Sequence, residues 1–213
     1  MKGYVGFEDK AKTWEAEGRR EGLARAVSSA MLEAVPLHEE SRVLDLGAGT
    51  GLISRALARR VGSVVALDGA SAMVAELRAR ADAEEIRNIE ALVADVEEPW
   101  PVKGEFDLVC GSMMLHHVAE TSALFERARR VLVSGGWIAM ADLEPEDGDF
   151  HEGNHGVHHF GFEQGALRAK LEAGGFTDIA FKSVTTMEKE RGGMTKSYRI
   201  FLVTARTSAG FRD

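Results

Sequence analysis

The sequence predicts a single doubly wound α/β domain, a largely parallel sheet with helices on both faces. Three observations carry this reading. Short apolar runs alternate with stretches of helical periodicity along most of the chain. A glycine-rich turn, Gly47-Ala48-Gly49-Thr50-Gly51, joins the first apolar run to the helix after it. Acids stand where the next two runs end, Asp68 after Ser63–Leu67 and Asp95 just past 88–94. A chain of 213 residues suits one domain with its own core.

Taken in order, residues 9–36 read as a helix, with Leu23, Val27, Ala30 or Met31, and Ala34 at three- and four-residue steps until Pro36 stops it. Arg42–Leu46 is a buried strand, and Leu52–Val61 a helix. Ser63–Asp68 is the second strand. Residues 71–82 form a helix with Met73, Leu77 and Ala81 on one face. Strands follow at 88–94 and Phe106–Cys110. Leu124, Phe125, Ala128 and Leu132 mark another helix, and Trp137–Ala141 a fifth strand. Residues 144–161 break the rhythm and read as a long loop. A helix at 162–173 ends at Gly174-Gly175. The runs at 176–186 and 196–205 have no helical pattern between them, so they read as an antiparallel hairpin.

The charge balance narrows the partners. With 26 basic and 34 acidic residues the net charge is −8. Phosphate backbones repel such a chain unless it carries a basic patch, and Arg19-Arg20, Arg59-Arg60 and Arg129-Arg130 are its densest basic groups. Nucleic acid is not an expected partner. Cys110 is the single cysteine, so no disulfide closes within the chain. The start, Met1-Lys2-Gly3-Tyr4, lacks an apolar signal core, and no run approaches the roughly 18 apolar residues of a membrane span. A cytoplasmic protein is expected, with no membrane partner.

The glycine turn carries the chemistry. Glycines there let backbone approach a ligand, and the following helix offers free N–H groups and a positive dipole end. A dinucleotide fingerprint spaces its glycines as G-x-G-x-x-G, whereas here Gly47, Gly49 and Gly51 read G-x-G-x-G. Asp45, two residues before, suits a ligand's ammonium group and is a poor neighbour for a pyrophosphate. Asp68 can accept from both hydroxyls of a ribose. Asp95 can accept from an adenine amino group or simply start a turn. Met73 can stack on the adenine or belong to the core, and Gly51 can serve the ligand or close helix–strand packing.

These segments resemble the class I S-adenosylmethionine (SAM)-dependent methyltransferases, in particular the bacterial small-molecule type. The matching stretches are VLDLGAGTG, VVALD, ALVADVEEP, FDLVCGSMMLHHV and RARRVLVSGGWIAMADL, from 43 to about 143. The resemblance implies a Rossmann-like sheet of seven strands, order 3-2-1-4-5-7-6, with strand 7 antiparallel. It implies that Gly47 and Gly49 line the methionine part of SAM and that Asp45 orients its amino group. Asp68 would hold the ribose, Asp95 and the backbone of Val96 the adenine, and Gly111 would sit near the methionine end. S-adenosylhomocysteine (SAH) would be the product. The N-terminal region, 1–36, with Tyr4, Phe7 and Trp14, would form a lid or pack as an ordinary helix. Enzymes of nucleobase amino groups carry an Asn/Asp-Pro-Pro-aromatic stretch after strand four. Cys110-Gly111-Ser112-Met113-Met114 stands there instead, so a small-molecule acceptor is expected.

Seven histidines remain, four of them at 151, 155, 158 and 159. His116-His117 follows the fourth strand, where a base or a brace for the active-site loop would stand. The loop 144–161 is expected on the acceptor side, with His117, His151 and His159 as the candidate catalytic or acceptor-shaping residues. No cysteine or tightly paired carboxylate completes a metal motif around the loop histidines, so no metal site is expected. Two rival functions share parts of the pattern: a non-catalytic SAM-binding regulator, and a nicotinamide oxidoreductase.

Overall fold

The computed structural model describes Ala11 and residues 18–208. Tyr4, Phe7 and Trp14, and most of the first half of the expected N-terminal helix, lie outside the described residues. The described helix α1 is Gly18–Ala34, ending short of Pro36 as the sequence suggests. The alternation follows as β1 (Arg42–Leu46), α2 (Leu52–Ala58), β2 (Ser63–Asp68), α3 (Ser71–Ala83), β3 (Ile89–Val93) and β4 (Phe106–Ser112). A short 3-10 turn, Leu115–His117, precedes α4 (Thr121–Val131) and β5 (Leu132–Leu143). Helix α5 (Gln164–Ala173) leads to β6 (Phe176–Arg191) and β7 (Met194–Thr207).

The seven strands run in the order β3-β2-β1-β4-β5-β7-β6. Strands β1 to β5 pair in parallel, and β7 is antiparallel to both β5 and β6. The chain builds outward from β1 to β3, then returns to the other side of β1 with β4. That reversal opens a crevice at the carboxyl ends of β1 and β4, where open α/β sheets take their ligands.

Both faces of the sheet are covered, so the central strands are apolar without alternation. In β1, Val43 packs with Met31 of α1 and Leu57 of α2, while Leu44 and Leu46 turn to Leu124 and Phe125 of α4. The aromatic side chains of Phe106, Phe125, Phe176 and Phe201 are fully buried in the α4 layer.

Two elements differ from the sequence reading. Strand β5 begins at Leu132, directly after α4. A register shift against β4 between Phe106 and Leu108 absorbs the extra residues around Gly135-Gly136, whose glycines do not look like strand. The closing hairpin is also longer than its apolar pattern. Only Ile200–Arg206 of β7 pairs with β5, while Met194–Arg199 pairs with β6 alone. This projecting part is polar because most of its side chains meet solvent, so hydropathy understates it.

Gly51 opens α2 at φ 83°, and a Cβ there would lie 2.5 Å from Cγ of Leu77 in α3. Of its two readings, close packing is what the geometry demonstrates. A Gly51→Ala variant is expected to lose about 1–3 kcal/mol of stability from the left-handed backbone and the clash. Urea unfolding midpoints check this, and an unchanged midpoint would refute the packing role.

Candidate active site

The glycine turn is held by β2. Ala48 donates its N–H to the Leu67 carbonyl at 2.9 Å, and Gly49 donates to Oδ2 of Asp68 at 2.8 Å. Oδ1 of Asp68 accepts from Ala70 N–H, also at 2.8 Å. The carboxylate thus stands between the first turn and the start of α3, 9% exposed. Gly47 and Gly49 both have positive φ, 64° and 56°. A Cβ on Gly47 would lie 2.7 Å from Cβ of Met114. Gly111, at the end of β4, is hemmed in by the Leu46 carbonyl, Met114 and Met140, each 3.1 Å from where its Cβ would be. Met114 therefore spans the gap between β1 and β4.

The other expected cofactor residues lie along the same edge. Asp95 is half-buried and its Oδ1 accepts from Glu97 N–H at 2.9 Å, so it shapes the turn after β3. Val96 is buried, and its carbonyl accepts from Trp100 Nε1 at 3.0 Å and from Arg127 at 2.6 Å. Met73 is buried beside Ala70 and Ala11.

The four loop histidines do not converge on one another. His155 and His158 are exposed. Nε2 of His159 donates to the Val118 carbonyl at 3.0 Å, and the backbone N–H groups of His158 and His159 both reach the His116 carbonyl, at 2.9 and 3.2 Å. What the loop brings to the sheet is His151, whose Nε2 is 3.1 Å from Nε2 of His116. His117 lies alongside, its Nδ1 donating to the Gly156 carbonyl at 2.7 Å. Burial first, then the neighbouring His116, pushes His151 down to about 3 and His117 down to about 4. Both rings are neutral at neutral pH.

Behind them stands Asp142, near the end of β5 and fully buried, which the sequence reading missed. Its Oδ1 accepts from His116 Nδ1 at 2.7 Å and from Leu143 N–H at 2.7 Å, and its Oδ2 from His116 N–H at 3.2 Å. Burial pushes the Asp142 carboxyl up, but the neighbouring His116 and its hydrogen bonds outweigh it and hold it below the usual range. The available signal was a lone acid inside the apolar run Ile138–Leu143.

The loop is gripped from its other side by the hairpin. Lys189 and Arg191 donate to the Phe150 carbonyl at 2.8 and 2.7 Å, and Tyr198 OH donates to Asp149 Oδ1 at 2.7 Å. Lys196 also bonds Asp149, and the Lys189 ammonium lies 3.4 Å from the centre of the Phe150 ring. Gly161 closes the loop against β5. A Cβ there would fall 2.1 Å from the Glu144 carbonyl oxygen, so only glycine lets the two backbones meet.

Asp45 lies beneath the glycine turn, 1% exposed. Ser54 Oγ donates to its Oδ2 at 2.5 Å and Cys110 Sγ to its Oδ1 at 3.8 Å. Burial, against these bonds, raises its carboxyl to about 7. In the folded chain it therefore binds its proton more tightly than in the unfolded chain, and folding loses stability as pH rises from about 4 to about 7. An Asp45→Asn variant is expected to gain on the parent over that window, by at most about 1.4 kcal/mol per pH unit, and to level off above it. Urea unfolding of both proteins across pH checks this; a constant difference would contradict it.

Comparison with known proteins follows the same outline. The family described as "Methyltransferase domain" matches residues 43–136, from β1 to the bulge of β5. Trans-aconitate 2-methyltransferase of Mycobacterium tuberculosis is 40% identical over 112 residues, 52% of this chain and 40% of that protein. The biotin biosynthesis bifunctional protein BioCD of Bordetella avium is 34% identical over 137 residues, 62% of this chain and 27% of that protein. The chain thus spans less than half the length of these two relatives. A putative methyltransferase from Bacillus halodurans superposes with a TM-score of 0.72 at 20% identity, covering 85% of this chain and 99% of that one. Strand order, glycine turn and matched segment agree: residues 43–136 match a methyltransferase domain, on a seven-stranded sheet with the order that the resemblance implied.

Proposed function

We propose that the protein binds SAM at the edge formed by β1, β2 and β4 and transfers its methyl group to a small-molecule acceptor. The observation that carries this reading is the Asp68 carboxylate, which ties Gly49 to Ala70 at the end of β2. A carboxylate offers about four acceptor positions, so it can serve these backbone groups and a ribose together. Gly47 and Gly49, both at positive φ, form the cradle for the methionine part, with Met114 directly against Gly47. Gly111 lies at the neighbouring strand end, Asp45 supports the cradle from below, and Asp95, Val96 and Met73 lie toward the adenine.

SAM, when bound, supplies a sulfonium methyl open to in-line displacement. The chain's task is then to orient the acceptor and exclude water. Residues 144–161 lie against the 3-10 turn after β4, on the side away from β2 and β3, and we assign the acceptor to that side. His117 and His151 face it, and His159 holds the loop in place. The names of the matched relatives, a trans-aconitate methyltransferase among them, favour a small acceptor. No described helix is long and apolar enough to cross a membrane, and the one cysteine is a buried free thiol, both in keeping with a cytoplasmic setting.

Calorimetry separates this reading from its rivals. SAM and SAH are expected to bind and NAD is not; tighter binding of NAD would overturn the assignment. An Asp68→Asn variant keeps one acceptor oxygen for the turn but loses the charge. Hydrogen bonds to a charged group contribute about 1.5–3 kcal/mol each, so SAM affinity should fall at least about tenfold while the fold persists. Parental affinity in that variant would remove Asp68 from the ribose site. Binding of SAM without turnover of any small acid, alcohol or amine would favour the regulatory alternative.

A further inference from the structure

We propose that His116, His117 and His151 hold one divalent transition-metal ion, zinc or a first-row neighbour. One donor nitrogen from each ring lies within 4.8 Å of the others. Nε2 of His116 and Nε2 of His151 are 3.1 Å apart. Two imidazole nitrogens on a tetrahedral zinc, each at 2.0–2.1 Å, stand about 3.3 Å apart, so the His116–His151 pair already has ligand spacing and His117 has to close in on it.

The groups behind the rings point the same way. A ligating histidine nearly always donates its second ring N–H to a carboxylate or a backbone carbonyl, which fixes the tautomer and turns the lone pair toward the metal. His116 Nδ1 donates to the buried Asp142 carboxylate, so its lone pair is on Nε2, facing His151. His117 Nδ1 donates to the Gly156 carbonyl, so its lone pair is on Nε2 as well. Two of three candidate ligands therefore have the outer partner that metal sites use, one a carboxylate and one a carbonyl. Without an ion, His151 Nε2 carries the proton between the two rings; with one, that proton moves to Nδ1.

The supports come from separate parts of the chain. His116 and His117 belong to the turn after β4, Asp142 to β5, and His151 and Gly156 to the loop, whose Phe150 is gripped by Lys189 and Arg191 of the hairpin. Three neutral nitrogen ligands favour zinc, cobalt, nickel or copper over magnesium or calcium, which prefer oxygen. Three protein ligands also leave a fourth position for an exogenous oxygen donor such as water, a hydroxyl or a carboxylate, the pattern of catalytic and not of structural zinc. The assignment rests on these rings alone, so it stands or falls independently of the methyl-transfer reading.

The test is metal binding by the full chain, free of any affinity tag and stripped by chelator. Cobalt(II) titration is expected to saturate at one ion per chain, with visible absorption of tetrahedral strength that zinc abolishes. His151→Ala should weaken binding at least about tenfold through loss of a ligand. Asp142→Asn, with all three rings kept, should weaken it about 10–100-fold, the usual cost of losing an outer partner. Far-UV circular dichroism confirms that each variant is folded, and His151→Gln replaces the alanine variant if it is not. His155→Ala, at an exposed histidine of the same loop, should bind as the parent does. Absence of saturable one-to-one binding by the parent overturns the proposal, as does binding that survives loss of His151 or that depends on His155.

Discussion

A carboxylate buried in the interior must find donors, and Asp142 finds three on two residues: the ring and backbone of His116 and the N–H of Leu143. This requirement organises the side of the sheet edge where the long loop lies. With His116 pinned to β5, the 3-10 turn cannot swing away from the sheet. Met114, two residues earlier, stays over Gly47 and Gly111, and the His116 carbonyl is left where His158 and His159 can reach it. Removing one partner from such a pair leaves a charge without compensation, at a cost of about 3–5 kcal/mol. The glycine turn, the 3-10 turn and the long loop are thus tied to one buried contact.

The carboxylates on the cofactor side serve a different end. Asp45 is the penultimate residue of β1 and Asp68 ends β2, and the charge of Asp68 adds to the burial that raises Asp45. The Asp68 carboxylate makes the floor of the crevice electronegative. That suits a ligand with an ammonium and a sulfonium and opposes a pyrophosphate. Two acids near a phosphate-type glycine turn are therefore consistent with the spacing that already distinguished the turn from a dinucleotide site.

The cofactor half was legible because its signals are local. Glycines at alternate positions, an acid at each strand end and an apolar run before each acid all fall within a few residues of one another. Strand order followed from resemblance, and the closing hairpin from the lack of a helix between two runs. The acceptor half was not legible to the same degree. His151 meets His116 across 35 positions of sequence, and no periodicity encodes that meeting. Asp142 reads as an ordinary polar residue in an apolar strand until its partner is seen. Of the four loop histidines, His155 and His158 meet solvent and His159 serves a backbone carbonyl. The polar tip of the hairpin was invisible for a simpler reason: a two-stranded ribbon in water need not be hydrophobic.

That hairpin gives the fold an uneven inheritance. Its tip touches Asp149 and Phe150 but makes no strand contact with β1 to β4. Lengthening, shortening or recharging the tip would shift the loop while the glycine turn kept its shape. Descendants of such a chain can reshape the loop by varying a solvent-exposed ribbon, with the glycine turn passed on intact. The match to the methyltransferase-domain family stops at residue 136, ahead of the loop and the hairpin alike. Divergence in this lineage is accordingly expected to concentrate in the last third of the chain.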